Sequence, residues 1–481
     1  MKRTATTLLA SGILLGSALL QAESLRDIYE LALENDAQLK TEQAQYLARK
    51  ETEELSRAAL LPQVGASYSY TDSDADRNSQ SRDFNSPDLP ILDTLTNTDI
   101  TTDGYTLSLN QPLFDLPAWF SFQSGKEISK EAAATFAGNQ QNLIVRVVEA
   151  YLLVLRAQDN LAASKAQERA FERQLEQSQQ RFEVGLIAIT DVYEAQAAFD
   201  LSRVNRIVDE NNVLVAMERL SVLTGQYPGT LNVLKEDLEL KLPDPIDRAA
   251  WVDFSLENNF SLLAARHGEE AARQNAQSKR MEHAPIVSGS YEYSDFSADG
   301  NLDVRPSTGF ETSPDYDLDQ HVWMLRVEMP LYSGGAISAQ RRQAAQEYNA
   351  ARENLINLTR NTVTSTRSLH MTVISDVSRV EARKKSIVSS QSALDATQAG
   401  YEVGTRNVVD VLNSQNTLFI AQRDYANSRY DYILNMMRLK EQAGLLSPED
   451  IYTLDTYLLP PPPPTAPTPP TTTATATTPT K

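Results

Sequence analysis

Polar and apolar positions alternate in four short stretches of this chain and recur at helical spacing almost everywhere else. In GYTLSLNQPLF, Tyr105, Leu107 and Leu109 point one way while Thr106, Ser108 and Asn110 point the other, the period of a strand with one apolar face. In HVWMLRVEMPLY, Trp323, Leu325 and Val327 oppose Val322 and Met324 as far as Pro330. Two further stretches begin at Pro62 and Pro285. The pattern predicts strands near 62–71, 104–113, 285–295 and 321–331, each roughly ten residues, the length of a tilted β-strand that crosses a membrane. No proline interrupts Ser124 to Phe182 or Ala336 to Tyr401. Those segments predict helices on the order of 90–100 Å at 1.5 Å per residue, far longer than a globular domain holds.

The elements come twice. RFEVGLIAITDVYEAQ (Arg181–Gln196) is echoed by GYEVGTRNVVDVLNSQ (Gly400–Gln415), LLPQVGASYSY by HAPIVSGSYEY, and NQPLFDL by EMPLYSG. The offsets indicate a duplication of about 220 residues. The first repeat covers 23–240 and the second 241–456. Within each echo, Gly185 and Gly404 stop a helix. Thr190 and Asn407 are candidate caps of the next helix, with Asp191 and Asp410 in its first turn. The motif is thus a helical hairpin tip, near 182–191 and again near 401–410, and helix capping alone would account for its aspartates.

The last helix, Val408–Gln442, has two adjacent seams. One runs Val411, Ser414, Leu418, Ala421, Tyr425, Ser428, Tyr432, Asn435, Leu439. The other runs Leu412, Gln415, Phe419, Gln422, Ala426, Arg429, Ile433, Met436. A single seam makes a coiled coil; two suit a helix held by neighbours on both sides, as in a hollow cylinder, with a four-helix bundle as the alternative.

Composition narrows the function. Lys2 and Arg3 precede the apolar run Leu8–Leu20 and the small Ala22, a secretory signal over 1–22. The formal charge of −20 becomes more negative by two once those cations leave, which argues against nucleic acid as a partner. There is no cysteine, so no disulfide and no lipidated cysteine. Beyond the signal, no apolar run suits a membrane helix, so a membrane would be crossed as a β-barrel. Tyr68, Tyr70, Phe114, Trp119, Phe120, Tyr291, Tyr293, Trp323 and Tyr332 cluster at the strands, as an aromatic girdle would. The segments Asp72–Asp103 and Ser294–Gln320 read as long acidic loops without a calcium-loop pattern. Four strands are too few to close a membrane barrel, so chains must combine. His267, His283, His321 and His370 are scattered, and Gly334–Gly335 lack the Lys-Ser/Thr of a phosphate loop. No catalytic, metal or cofactor site is indicated, and the chain is not expected to be an enzyme. A periplasmic coiled-coil adaptor or scaffold without a pore is the competing reading. Residues 457–481 are a Pro/Thr-rich tail expected to be disordered.

RFEVGLIAITDV and GYEVGTRNVVDVL, supported by YSGG (Tyr332–Gly335) and NSRYDYILN (Asn427–Asn435), resemble the TolC family of outer-membrane ducts for efflux and type I secretion. The resemblance implies an α+β membrane protein: a homotrimer with a 12-stranded β-barrel, four strands per chain, in outer-membrane lipid. A periplasmic α-helical barrel of coiled coils would continue it, with a mixed α/β girdle near Thr230–Ala250 and after Leu445. It implies a periplasmic adaptor and an inner-membrane pump or ABC exporter as partners that open the hairpin tips. By the same resemblance, Tyr401 and Arg406 bind Thr190 and Asp191, Gln174 faces Gln398, and Arg429 fills a further basic position of the gate. Asp410 supplies one ring of acids at the narrowest point; where the family has a second, this chain has Asn413. A single ring should still favour cations but bind multivalent cations more weakly.

Overall fold

The computed structural model describes residues 22–82, 88, 91–305 and 315–461. The signal segment 1–21 and the tail from 462 lie outside them. In chain order the elements are α1 (Leu25–Asn35), α2 (Ala37–Lys50), α3 (Thr52–Ala58), β1 (Gln63–Arg82), β2 (Ile91–Phe114), α4 (Leu116–Glu183), α5 (Ile189–Thr224) and β3 (Val233–Leu234). There follow α6 (Arg248–Asn258), α7 (Phe260–Met281), β4 (Ile286–Arg305), β5 (Tyr316–Glu328), α8 (Ala336–Glu402), α9 (Val408–Gln442), α10 (Pro448–Asp455) and β6 (Leu458–Leu459). Residues pack into two compact units, one of 44–136 with 260–360, the other of the rest, so each repeat contributes to both.

The unit of 44–136 and 260–360 holds a four-stranded antiparallel sheet in the order β1-β2-β4-β5. Each repeat supplies one hairpin, and β2 pairs with β4. One row across it is Val64, Leu109, Tyr291, Trp323; the next row on the same face is Ala66, Leu107, Tyr293, His321. The opposite face carries rows such as Ser67, Thr106, Ser294, Gln320, which are polar. Gly104 is required where the strands cross closely: a Cβ there would meet the Asp295 carbonyl oxygen at 2.3 Å. Within this unit the start of α4 is fixed by Ser124 Oγ donating to the Ala271 carbonyl (2.9 Å) and by Tyr46 stacking on Phe136.

The strands are longer than the apolar alternation predicts, at 20, 24, 20 and 13 residues. The segments expected to be loops continue the ladder, as in Asp72↔Thr101, Asp76↔Asn97 and Asp299↔Thr101. Backbone pairing does not need apolar side chains; only burial or lipid does.

In the other unit, α1 is opened by a capping box between Ser24 and Asp27 and buries Leu25, Ile28, Tyr29 and Ala32. Asp36 is 3 % exposed and ion-paired to Arg146 at 2.7 Å, tying the start of α2 to α4. A two-stranded sheet pairs β3 with β6. It falls in the regions expected for the mixed domain and corrects the tail boundary, since Leu458 and Leu459 are strand rather than tail. Along α9 most of the first seam is closed: Val411, Leu418, Ala421, Ser428, Tyr432 and Leu439 are buried, and Ser414, Tyr425 and Asn435 half-buried. The second is closed only in part, with Leu412, Arg429 and Ile433 buried, Phe419 half-buried and Gln422 exposed. No helix among the described residues is long and apolar enough to cross a membrane.

Candidate functional site

The two echoed motifs form helical hairpin tips. Gly185 (φ 75°) follows α4 and Gly404 (φ 76°) follows α8, both in the left-handed region that ends a helix. The amide of Leu186 returns to the Arg181 carbonyl (2.8 Å), and that of Thr405 to the Gly400 carbonyl (2.9 Å). Asn407 caps α9, its Oδ1 accepting from the Asp410 amide at 2.8 Å. Thr190 does not cap α5: the cap residue is Ala188, without a side-chain bond, and Thr190 lies inside the helix. Ala188 stands where the second hairpin has Asn407, so only one tip has a side-chain cap. Asp191 and Asp410 both sit in the first turn, as expected.

The valine after each of these aspartates is the packing residue. Val411 joins Phe171, Tyr401, Val408 and Leu412 in one buried cluster, with Ala198, Phe199 and Leu394 against it, so α4, α5, α8 and α9 share a core. Val192 packs with Leu175 and Ala195 in a second. Polar contacts add ties: Gln167 to Asn416 (3.0 Å), Thr397 to Ser414 (3.2 Å) and Arg206 to Glu168 (2.7 Å).

The residues assigned to the gate are not joined to one another as expected within one chain. Arg406 lies 3.6 Å from Asp410, on its own hairpin. The Tyr401 hydroxyl is buried without a hydrogen-bond partner, and so is Gln174 Nε2; no amide pair links Gln174 to the half-buried Gln398. Thr190 and Asn413 are exposed and Asp191 is half-buried. Arg429 is buried and anchored elsewhere: it donates to the Lys235 and Glu236 carbonyls (3.1 and 3.4 Å) and lies 3.9 Å from Asp159. Asp159 also accepts from the Tyr430 hydroxyl (2.6 Å), and burial together with that carboxylate pushes the phenol pKa up. Arg429 therefore ties α9 to the segment around β3 in its own chain. Among the described residues no group of acids, histidines or cysteines is arranged to hold a metal.

The model of the family described as "Outer membrane efflux protein" matches residues 28–226 and 251–445. The chain belongs to the outer membrane efflux protein family. It is 34 % identical to outer membrane protein TolC of Vibrio cholerae, over 92 % of this chain and 95 % of that one. It is 29 % identical to the alkaline protease secretion protein AprF of Pseudomonas aeruginosa, over 94 % and 90 %. Its fold matches the crystal structure of the outer membrane protein VceC of Vibrio cholerae with a TM-score of 0.69 at 17 % identity, covering 87 % and 96 %. An outer membrane efflux protein is a channel and not an enzyme, and its place is the outer membrane. The competing reading, a periplasmic coiled-coil adaptor or scaffold without a pore, is thereby overturned.

Sequence reasoning missed one contact in this outer membrane efflux protein. The Arg181 guanidinium lies over the Tyr401 ring, 4.6 Å from its centroid. Arg181 stands inside the first motif, so its position was visible; its partner, on a helix 220 residues away, was not.

Proposed function

We propose that the protein is the outer-membrane exit duct for efflux and type I secretion, built as a homotrimer whose sheets close into a 12-stranded barrel. The observation that carries this is the pair of unpaired edges. β1 and β5 end the sheet order, so among the described residues strands of 20 and 13 residues lack a partner on one side. In a lipid environment unpaired backbone is untenable, and closure through further copies of the same sheet removes it. The face bearing Tyr68, Trp323, Leu325 and Val327, all more than 60 % exposed, would meet lipid. The opposite, polar face would line the lumen.

The helices support the same assembly. α5 leaves Leu201, Val204, Val208, Val215 and Val222 exposed at coiled-coil spacing, and α9 leaves its second seam half open. Neighbouring chains would cover both and complete the helical barrel. Val184, Leu186 and Val403 stand at the tips, each about 70 % exposed. Such apolar tips suit a periplasmic adaptor that brings the inner-membrane pump or ABC exporter and opens the gate. The secretion role named for AprF and the efflux role named for the family point to the same use. In the assembled gate, Arg406 and Tyr401 of one hairpin would meet Thr190 and Asp191, and Asp410 would ring the narrowest point.

Reconstitution in a planar lipid bilayer tests this. Small, cation-preferring channels from a detergent-extracted trimer are expected; a detergent-free soluble monomer without channels would overturn it.

A further inference from the structure

We propose that Arg181 is a gate residue, whose guanidinium clamps the Tyr401 ring and holds the second hairpin shut against the first. The inference rests on the gated-duct reading above and names a contact that reading does not contain.

Both side chains leave the last turn before a tip. Arg181 precedes Gly185 on α4, and Tyr401 precedes Gly404 on α8. The ring is 4 % exposed, so water does not screen the contact from most sides. Among the described residues no carboxylate pairs with Arg181, and its guanidinium lies over this ring. On the ring's other atoms, the hydroxyl has no partner, although it is buried. Along α4, Phe171, Gln174, Ser178 and Arg181 follow the 3,4,3 spacing of one seam, and Phe171 packs in the same cluster as Tyr401. The polar groups on that seam, Gln174 Nε2 and Ser178 Oγ, are buried and bonded to nothing. The contact made along the seam to Tyr401 is therefore with its face and not with its hydroxyl.

A cation at the end of a helix is also favourable for the helix dipole alone. The clamp and the dipole differ in what they require of residue 401. The clamp needs a ring at 401; the dipole does not.

The experiment is single-channel conductance of the purified, reconstituted full chain. Arg181→Ala and Tyr401→Leu are each expected to raise conductance at least two-fold, and the double variant no further than either alone. Tyr401→Phe keeps the ring but loses the hydroxyl that the proposed gate sets against Thr190 and Asp191, and is expected to open the channel less than Tyr401→Leu. Arg181→Met, which preserves the packing of the side-chain stem, serves if Arg181→Ala does not assemble, and is expected to open likewise. Wild-type conductance in Arg181→Ala or Arg181→Met, additive effects in the double variant, or opening by Tyr401→Phe equal to that of Tyr401→Leu would each overturn the clamp. Arg406→Ala is measured beside them. If it opens the channel while the Arg181 variants do not, the gate stands and the clamp falls. If no variant opens a channel that wild type forms, the gated reading of the tips falls with it.

Discussion

Arg406 Nη1 lies 3.6 Å from Asp410 Oδ2, so the basic residue expected at the gate and the acid expected at the narrowest point touch each other on one hairpin. The side chains are 62 % and 38 % exposed, and such a pair adds little to stability. Its consequence in the proposed duct is electrostatic: the cation would offset the carboxylate at the narrow point. Arg406→Ala is expected to raise both conductance and cation preference, whereas Asp410→Ala lowers cation preference. Reversal potentials in a salt gradient read both. Unchanged selectivity in Asp410→Ala would remove that residue from the ion path.

Asn413 is exposed one turn beyond Asp410. Asn413→Asp would add a second ring of carboxylates to the assembled duct. Several-fold stronger block by di- and trivalent cations is expected, with the fold untouched. Titrating the block against wild type checks it.

The sheet makes opposite demands on neighbouring residues. Leu325 (68 % exposed) shares a face with Trp323 and Val327, and Met324 shares the other with polar residues. Leu325→Arg is expected to cost about 2–4 kcal/mol if it reaches the bilayer midplane. Met324→Arg, on the face proposed to line the lumen, is expected to cost far less. Folding titrations in lipid vesicles separate the two; equal costs would mean that the face bearing Leu325 does not meet lipid.

Glu441, outside the strands, has its pKa raised by burial, against the opposing effects of the Asn142 side chain at 3.2 Å and of Arg438. A carboxyl with a raised folded pKa binds its proton more tightly in the native state than when unfolded. It therefore stabilises below the unfolded pKa, and that contribution is lost as pH rises through the folded value. Stability is expected to fall from acid toward neutral pH on this account. Glu441→Gln should melt higher than wild type at neutral pH and converge with it in acid. Parallel melting curves across that range would show that the group does not titrate as described.

The sequence by itself determined most of what depends on neighbours along the chain. Alternation at Tyr105–Asn110 marked the sheet faces, Gly185 and Gly404 marked the turns, and Asn407 marked its cap. It missed at Thr190 because the cap position, three residues after each glycine, holds an alanine in the first hairpin. It stopped the strands short because polar Asp72–Asp76 carry no alternation signal, although their backbones pair as readily as apolar ones. Only the tertiary structure decided which side chains meet across elements. A seam at 3,4 spacing says that a helix has a partner but not which residue stands opposite. Thus Arg181 reaches Tyr401, Arg406 turns to Asp410, and Arg429 bonds the backbone at Lys235 and Glu236. The same structure leaves the edges of β1 and β5 unpaired, a property of strand order that no single strand carries.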